Sequence, residues 1–277
     1  MNQILERKRQ MNPLYRKSTL PIISFIVLFL LACNATFTYG FPTPTVEPPT
    51  PVPTAASVPI SQQAALVSQP YIEANQDPVF TITAQIPQLF GSDDPRVAAF
   101  NQRLNDLVQK EIAAFRREFT NAPMTEAATN SFLEISYTLI SQYGDLWSFK
   151  FVFFFYNNGA AHPGDYHLTI NYDLEAGREL SLGDLFLPNS NYLETISNYC
   201  VSELGKRDVG FEGGFEEGAR PTLENYRNWN VAPDGLMITF DAYQVAPGAA
   251  GPQTVVVPYD QLKAIIDPQG ALAGFVP

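Results

Sequence analysis

The sequence predicts an α+β fold, in which a mixed or antiparallel sheet packs with a few helices and forms two small contiguous subdomains. Three observations lead to this class. An amphipathic helical pattern follows Pro95, and two strongly apolar strand patterns, separated by Gly144-Asp145, come next. Later helix and strand patterns are interspersed without the regular alternation of βαβ units. The 277 residues, 45% of them hydrophobic, are enough to bury a substantial core.

The N-terminal segment has the pattern of a lipoprotein signal peptide. Residues 18–32 form a short apolar run behind Arg16 and Lys17, too short for a comfortable membrane span. The run ends in Leu-Leu-Ala-Cys, which resembles the lipobox of bacterial lipoproteins and predicts lipidation at Cys33. We therefore expect residues 1–32 to be a signal peptide and the protein to be anchored to the membrane by lipid, outside the cytoplasm. An uncleaved anchor helix is the alternative.

Residues 33–68 are predicted to form a spacer behind the lipidated cysteine. Seven prolines lie between residues 41 and 59, separated mostly by small residues, and this composition favours extended polyproline II structure over a packed core. At about 3.1 Å per residue the stretch would hold a domain ~50 Å from its anchor. The folded part is predicted to start near Gln69.

Residues 69–148 are predicted to be the N-terminal subdomain. Residues 79–86 alternate as a strand does, and Asp94 can cap the helix that Pro95 begins. Apolar residues then recur every three or four positions up to residue 119, which predicts one long amphipathic helix. The strand pattern of residues 131–143 ends at the hairpin signal Gly144-Asp145.

Residues 149–277 are predicted to be the C-terminal subdomain. Almost every residue from Phe151 to Tyr156 is apolar, which is typical of a central strand covered on both faces. Cys200 lies on the apolar side of a helical pattern, so we interpret it as a small buried hydrophobe rather than a nucleophile. Farther on, a Pro-Asp-Gly turn joins two strands, and a last strand and a last helix follow.

The charge balance argues against some partners. The chain has 17 basic and 28 acidic residues, and residues 1–32 hold five of the basic and one of the acidic ones. The remainder carries 12 basic and 27 acidic residues, a net charge of −15. Such a surface repels nucleic acid, so no nucleic acid is predicted as a partner, and it attracts cationic molecules.

The short signatures of several enzyme classes are absent from the sequence. It contains no Gly-x-Ser-x-Gly, Ser-x-x-Lys or His-Glu-x-x-His motif, no paired cysteines and no phosphate loop. A carboxylate pair of the glycosidase kind stays open among the 27 acidic residues, although no spacing singles one out. We therefore predict no catalytic residue, no cofactor and no metal.

Both histidines of the chain lie in one stretch, His162 in a Pro-Gly turn and His167 just after it. The turn removes the helical spacing that zinc sites use. We expect His162 to bond to nearby backbone and fix the loop. Alternation after the turn groups His167 with Thr169 and Asn171, so we expect it on the less buried face of a strand. A metal site of both histidines with Asp165 is the alternative.

The stretch YNNGAAHPGDYHLTINYDLEAGRELSLGDLF, residues 156–186, resembles the signature of a bacterial extracytoplasmic domain family of unknown function. That family forms the outer part of RsiV-type anti-sigma factors, which bind lysozyme, and precedes the catalytic domain in PdaC-type peptidoglycan deacetylases. A second motif follows in NYRNWNVAPDGLMITFDAYQVAPGAAGPQTVVVPYDQL, and the resemblance covers about residues 70–270. Neither the deacetylase domain nor the anti-sigma segment has a counterpart here, so the resemblance implies the outer module alone.

The resemblance thus implies a non-catalytic binding lipoprotein. Its partner would be a cell-envelope glycan or a cationic, envelope-attacking protein such as lysozyme. An unrecognised hydrolase of envelope polymers and a structural subunit of an envelope complex are the alternatives. We expect the ligand to bind at loops whose residue types are not explained by the structure of the loop alone. The candidate ligand-binding residues in these loops are His162, Asp165, Tyr166, Phe211, Phe215 and Tyr243.

Overall fold

The protein contains two β-sheets, whose strands are mostly antiparallel, and two hydrophobic cores. The structure is a computed structural model and describes residues 59–121, 131–207 and 215–273. The predicted lipidation site and most of the spacer lie outside the described residues. In chain order the elements are β1 (Ala65–Gln76), β2 (Val79–Phe90), α1 (Pro95–Asn121), β3 (Ser131–Tyr143), β4 (Leu146–Tyr156), β5 (Gly164–Asp173), β6 (Arg178–Glu179), α2 (Tyr192–Leu204), α3 (Phe215–Gly218), β7 (Trp229–Ala232), β8 (Gly235–Phe240), β9 (Gln253–Pro258) and α4 (Tyr259–Leu262). The α+β prediction is confirmed.

The first sheet has six strands in the order of the sequence, β1 to β6. All neighbours are antiparallel except β2 and β3, which are parallel because α1 carries the chain back across the sheet between them. Gly144, with φ +55°, makes the tight turn between β3 and β4 that the sequence predicts. These pairings fix which side chains share each face of the sheet.

The inner face of this sheet packs against α1. The helix begins where predicted, because the Asp94 Oδ1 accepts a 2.8 Å hydrogen bond from the backbone N–H of Arg96. The bonds from Arg96 lower the pKa of Asp94 to about 2. Phe100 is fully buried among aromatic rings of the sheet, with its ring centroid 5.1 Å from that of Tyr172. Inner-face apolar side chains and the apolar stripe of α1 together make the first core.

The second sheet has the order β7-β8-β9 and builds a separate core with α2, α4 and the segment after β5. Cys200 on α2 is fully buried in this core, as the helical pattern predicts. Burial raises the pKa of its thiol to about 12, so the thiol stays protonated at neutral pH. The predicted last helix is a single turn, Tyr259–Leu262.

The second sheet covers part of the outer face of the first through polar contacts. Asn171 donates from its Nδ2 to the Trp229 carbonyl (2.8 Å) and accepts from the Val231 N–H at its Oδ1 (3.1 Å). Asn230 reaches back to Ser148 Oγ, at 2.9 Å. These bonds join the two sheets through polar groups, although the buried Asn230 Oδ1 has no hydrogen-bond partner among the described residues.

Two boundaries differ from those predicted. The fold begins before Gln69, since Ile60 is buried and the Asp145 carboxylate accepts from the backbone N–H groups of Ile60 and Ser61. The expected subdomain boundary between residues 148 and 149 lies inside β4. It falls there because the two strongest strand patterns pair as one hairpin and cannot belong to separate units.

The prediction that residues 151–156 are covered on both faces is wrong. Phe151 and Phe153 are fully buried on the inner face, but Phe154 points outward with 38% of its surface exposed. The first residues of β4, from Leu146 to Phe149, are the ones buried on both faces, because the second sheet lies over that end only. Among the described residues, no helix is long and apolar enough to cross a membrane.

Candidate functional site

The outer face of the six-stranded sheet divides into two halves. We call the part under the second sheet the covered half, made of Ser148, His167, Thr169 and Asn171. The remainder is the open half. Its side chains are set by strand register in two adjacent rows, because directly paired residues share a face. One row is Ile72, Thr83, Glu134, Phe154 and Asp165, and the other is Ala74, Thr81, Phe132 and Tyr156.

Three aromatic side chains gather at one end of the open half. The ring centroid of Phe132 lies 5.5 Å from that of Phe154 and 6.1 Å from that of Tyr156. The loop before β5 lies beside them, and its residues 161–163 line one side of a cavity of about 640 Å³. We call this feature the aromatic groove. Its lining residues are Val79, Phe80, Thr81, Ser131, Phe132, Tyr156, Ala161, His162 and Pro163.

The loop that walls the groove is held by its own hydrogen bonds. The Tyr156 hydroxyl donates to the Ala160 carbonyl (3.3 Å), and the Asn158 N–H donates to Ser131 Oγ (2.9 Å). Gly159 takes a φ of +95°, a left-handed conformation that side chains disfavour. The His162 Nδ1–H donates to the Pro163 carbonyl at 2.7 Å, so His162 does bond to nearby backbone. The wall is therefore shaped before any ligand arrives.

Of the six residues predicted to bind ligand, one lines this groove and a second lies on the open half. His162 lines the groove, and Asp165 lies next to Phe154 on the open half. Tyr166, one position along β5, points to the opposite face. Its ring stacks on Phe153 with centroids 4.9 Å apart, and its hydroxyl donates to Glu111 Oε2 at 2.7 Å. Burial, with that bond second, raises the pKa of Tyr166, which serves the first core rather than a ligand.

The remaining predicted residues lie elsewhere. Phe215, in the short α3, packs partly buried against the second core, so it is not the exposed contact that we expected. Tyr243 is 72% exposed and has a φ of +68°, in the turn after β8, and it does not line the groove. Phe211, like Cys33, lies outside the described residues. The structure therefore does not gather the six residues in one site.

The expectation that His167 lies on the less buried face is wrong. His167 is only 7% exposed, because the second sheet covers it. Its backbone N–H and its Nδ1–H both donate to Asp241 Oδ1, at 3.0 and 2.9 Å, and Arg227 donates to Asp241 Oδ2 at 2.8 Å. Burial pushes the pKa of Asp241 up, but the bonds from His167 and Arg227 outweigh it and hold the pKa below its ordinary value.

This His–Asp pair has the form of part of a hydrolase triad, but it lacks the third member. In the part of the chain that the structure describes, no serine, threonine or cysteine side chain is hydrogen-bonded to the His167 ring. No three His, Cys, Asp or Glu side chains converge there on a metal-sized position either. What the pair does is tie β5 to the strand end at Asp241, across the two sheets.

A second cleft, of about 700 Å³, lies where the first motif ends, and it is lined by carboxylates. Most of them already hold local structure. The Asp145 Oδ1 accepts from the Ser61 N–H (2.7 Å), the Asp173 Oδ1 from the Ala176 N–H (2.9 Å), and the Asp267 Oδ1 from the Gln269 N–H (2.9 Å). Asp184 binds Ser181 and Arg178; although burial pushes its pKa up, these bonds bring it below the ordinary value. We name this feature the acidic cleft.

Sequence reasoning missed Phe132, which lines the groove with Tyr156, and Phe154, which packs against Phe132 on the open half. A signal for Phe154 was present: the outward positions of β3 are Glu134, Ser136 and Thr138, and all three are exposed. A strand whose neighbour shows polar residues on one face has that face in solvent. The outward residues of β4 beside them were therefore predictable as exposed.

Comparisons with known proteins agree with this fold. Residues 183–260 match the family model "Protein of unknown function (DUF3298)". The chain is 27% identical over 168 residues to the peptidoglycan-N-acetylmuramic acid deacetylase PdaC of Bacillus subtilis strain 168, covering 60% of this chain and 36% of PdaC. It is 27% identical over 105 residues to Esterase Rv3036c of Mycobacterium tuberculosis H37Rv, covering 38% of this chain and 46% of the esterase. The chain thus spans less than half of these curated relatives.

Solved structures show the same architecture. A DUF3298 family protein of Bacteroides fragilis NCTC 9343 aligns with a TM-score of 0.53 and 15% identity, over 77% of this chain and 97% of that one. Another from Pseudomonas aeruginosa PAO1 aligns with a TM-score of 0.50 and 16% identity, over 74% and 94%. The predicted likeness to PdaC-type deacetylases is confirmed, and that to RsiV-type anti-sigma factors stays a prediction. The chain therefore carries a DUF3298 domain match at residues 183–260, within a fold similar to that of solved DUF3298 proteins.

Proposed function

We propose that this protein is a non-catalytic module that binds a cell-envelope glycan and is held outside the cytoplasm by a lipid on Cys33. The aromatic groove is the observation that carries the proposal. Partly exposed aromatic rings on a sheet face add little to a core, and a preformed cavity beside them is a common form of ligand site.

The chemistry of the groove suits a sugar ring. The C–H groups on one face of a pyranose carry slight positive charge and stack on the negative face of an aromatic ring. Phe132, Phe154 and Tyr156 supply such faces, while the exposed hydroxyls of Thr81 and Thr83 lie in the same rows. A glycan needs both kinds of partner, since each of its rings has an apolar face and a polar edge.

The relatives support an envelope location and an envelope polymer. By its name PdaC acts on the N-acetylmuramic acid of peptidoglycan, and this chain matches only 36% of it. We propose that the shared part binds peptidoglycan and that catalysis belongs to other parts of PdaC. The lipobox at Cys33 and the proline-rich spacer would place the domain at the height of the cell wall.

Two alternatives rest on particular observations. The similarity to an esterase and the His167–Asp241 pair favour a hydrolase, but the buried Cys200 thiol and the missing nucleophile beside His167 weigh against it. The acidic cleft and the net charge of −15 after residue 32 favour a basic protein partner such as lysozyme. Charge by itself gives loose, salt-sensitive attraction, so this partner ranks second.

Co-sedimentation with purified peptidoglycan tests the proposal. The full chain, in detergent, should pellet with the insoluble polymer at about 0.15 M salt, where exposed charges are largely screened. Phe154→Ala and Tyr156→Ala should each reduce the bound fraction several-fold. Tyr243→Ala, which removes a more exposed aromatic ring that does not line the groove, is the control and should bind as the parent does.

Three outcomes would count against the proposal. Binding lost by Tyr243→Ala and kept by the groove variants would move the site to the second sheet. Soluble fragments released from the polymer would favour the hydrolase. Lysozyme binding that survives 0.15 M salt, with no binding to peptidoglycan, would favour the protein partner.

A further inference from the structure

Two carboxylates flank the exposed ring of Phe154, which packs against Phe132 of the groove. Glu134 on β3 and Asp165 on β5 are both directly paired with Phe154 on β4, so the three side chains stand side by side on the open half. Neighbouring strands lie about 4.8 Å apart, which puts the two acidic positions ~10 Å apart with the Phe154 ring between them. A six-membered sugar ring lying on Phe154 would have a carboxylate within reach on either side.

The fold does not use these carboxylates. Among the described residues, neither the Glu134 nor the Asp165 side chain makes a hydrogen bond or an ion pair, whereas most carboxylates of the acidic cleft hold turns or arginines. Glu134 is exposed and Asp165 is partly buried. Their negative charge is thus available to a ligand.

Little positive charge faces them. Lys150 is the cation on the same face of β4, and it lies four residues from Phe154, a distance of ~13 Å along an extended strand. The chain as a whole is acidic, with a formal net charge of −11. Both the local and the overall charge therefore favour a cationic ligand and disfavour an anionic one.

We propose that the aromatic groove selects glycans that carry a free, protonated amine over their N-acetylated forms. This inference rests on the proposed glycan binding and names the sugar class. A 2-amino sugar can stack its ring on Phe154 while its ammonium donates charge-assisted hydrogen bonds to Glu134 or Asp165. The cation also gains from the negative face of the aromatic ring. Acetylation removes the charge, and the amide then meets two carboxylates whose water it displaces without replacing the ion pair.

Calorimetry with two matched ligands tests the selection. The full chain, in detergent at pH 6 and low salt, is titrated with the hexamer of glucosamine and with the hexamer of N-acetylglucosamine. We expect the free amine hexamer to bind at least ten-fold more tightly and its advantage to shrink as salt rises. The double change Glu134→Gln with Asp165→Asn should bring the two affinities to within about two-fold, chiefly by weakening the binding of the free amine hexamer.

A second double change separates local from overall charge. Glu175→Gln with Asp234→Asn removes the same charge at positions away from the groove and should keep the preference. Equal affinity for both hexamers, tighter binding of the acetylated one, or a preference that the control removes as fully as the groove pair does would overturn this inference while glycan binding stands. No binding of either hexamer, or of peptidoglycan, would overturn the proposed function with it.

Discussion

The two halves of the outer sheet face reverse the usual distribution of polar and apolar residues. The covered half is polar although Ser148, His167 and Asn171 are buried, and Thr169 is half-buried under the second sheet. The open half is in solvent yet carries Phe132, Phe154 and Tyr156. Each polar residue of the covered half bonds to the second sheet or to Asp241 just after it, whereas among the described residues the ring contacts of the open aromatics are with one another.

The difference separates structure from function on a single surface. The hydrogen bonds between the covered half and the second sheet fix how the two sheets meet. If one sheet were displaced relative to the other, the buried polar groups that make these bonds would lose their partners, at a cost of about 1–3 kcal/mol each. Partly exposed aromatic side chains beside a cavity contribute much less to the stability of the fold. We therefore infer that the covered half serves as the joint between the two sheets and propose that the open half is the binding surface.

Among changes to the covered half, the largest effect should follow the loss of Asn171, which lies at the centre of the contact between the two sheets. Asn171→Ala leaves the Trp229 carbonyl, the Val231 N–H and the Ser148 hydroxyl without their partner. We expect a loss of about 3–4 kcal/mol in the free energy of unfolding, measured by urea denaturation.

Ser136→Ala is the control for this change, since Ser136 lies on the same outer face of the sheet but is exposed. It should change the free energy of unfolding by at most about 0.5 kcal/mol. Comparable costs at both positions would mean that the two halves do not differ as described.

The two histidines should differ in how much their replacement by alanine lowers the free energy of unfolding. His167→Ala removes a buried bond to Asp241, leaves that carboxylate with one donor fewer and opens a small cavity, so we expect it to cost about 2 kcal/mol. His162→Ala removes one bond within an exposed loop and should cost about 0.5 kcal/mol or less. Equal costs, or stoichiometric metal in the parent that either change removes, would restore the metal-site alternative.

How far the sequence predicts this fold depends on the range of the interactions involved. The α1 helix and the β3–β4 hairpin follow from local signals, the apolar spacing after Pro95 and the turn at Gly144. The alternation of β5 also separates its two faces correctly. What the alternation cannot say is which face meets water, because Asn171 and Thr169 are buried by backbone groups about 60 residues away in the sequence.

At the candidate site, too, the sequence does not show which strand face is covered, and here a face predicted to be covered is exposed. An unbroken apolar run predicts a strand covered on both faces, and in β4 the second sheet is too short to cover the end that holds Phe154. The prediction of His162 and Asp165 as ligand-binding residues rests on a local signal, a Pro-Gly turn between polar residues. Phe132 was not, since its place in the groove depends on the pairing of β3 with both β2 and β4.

A pH titration sharpens the contrast through Asp241. Its folded pKa lies below the ordinary value, so its ionised form stabilises the fold above the unfolded pKa of about 4, and that stability is lost as pH falls through the folded pKa. The parent should therefore lose more stability between pH 5 and pH 2 than Asp241→Asn does. Urea midpoints at a series of pH values measure this difference. The same slope in both proteins would show that the joint does not depend on this carboxylate.

A change at Phe154 should have a small effect on stability and is the most informative about function. Replacing it with threonine, which suits strands, removes a partly exposed ring and its contact with Phe132, and we expect a cost of about 1 kcal/mol. Phe153→Ala, one residue away but fully buried on the inner face, should cost about 3–5 kcal/mol. Phe154→Thr should nevertheless lose most of its binding to peptidoglycan. If Phe154→Thr were as destabilising as Phe153→Ala and bound peptidoglycan as the parent does, the open half would be structural like the covered one, because its exposed ring would then serve the core and nothing outside it.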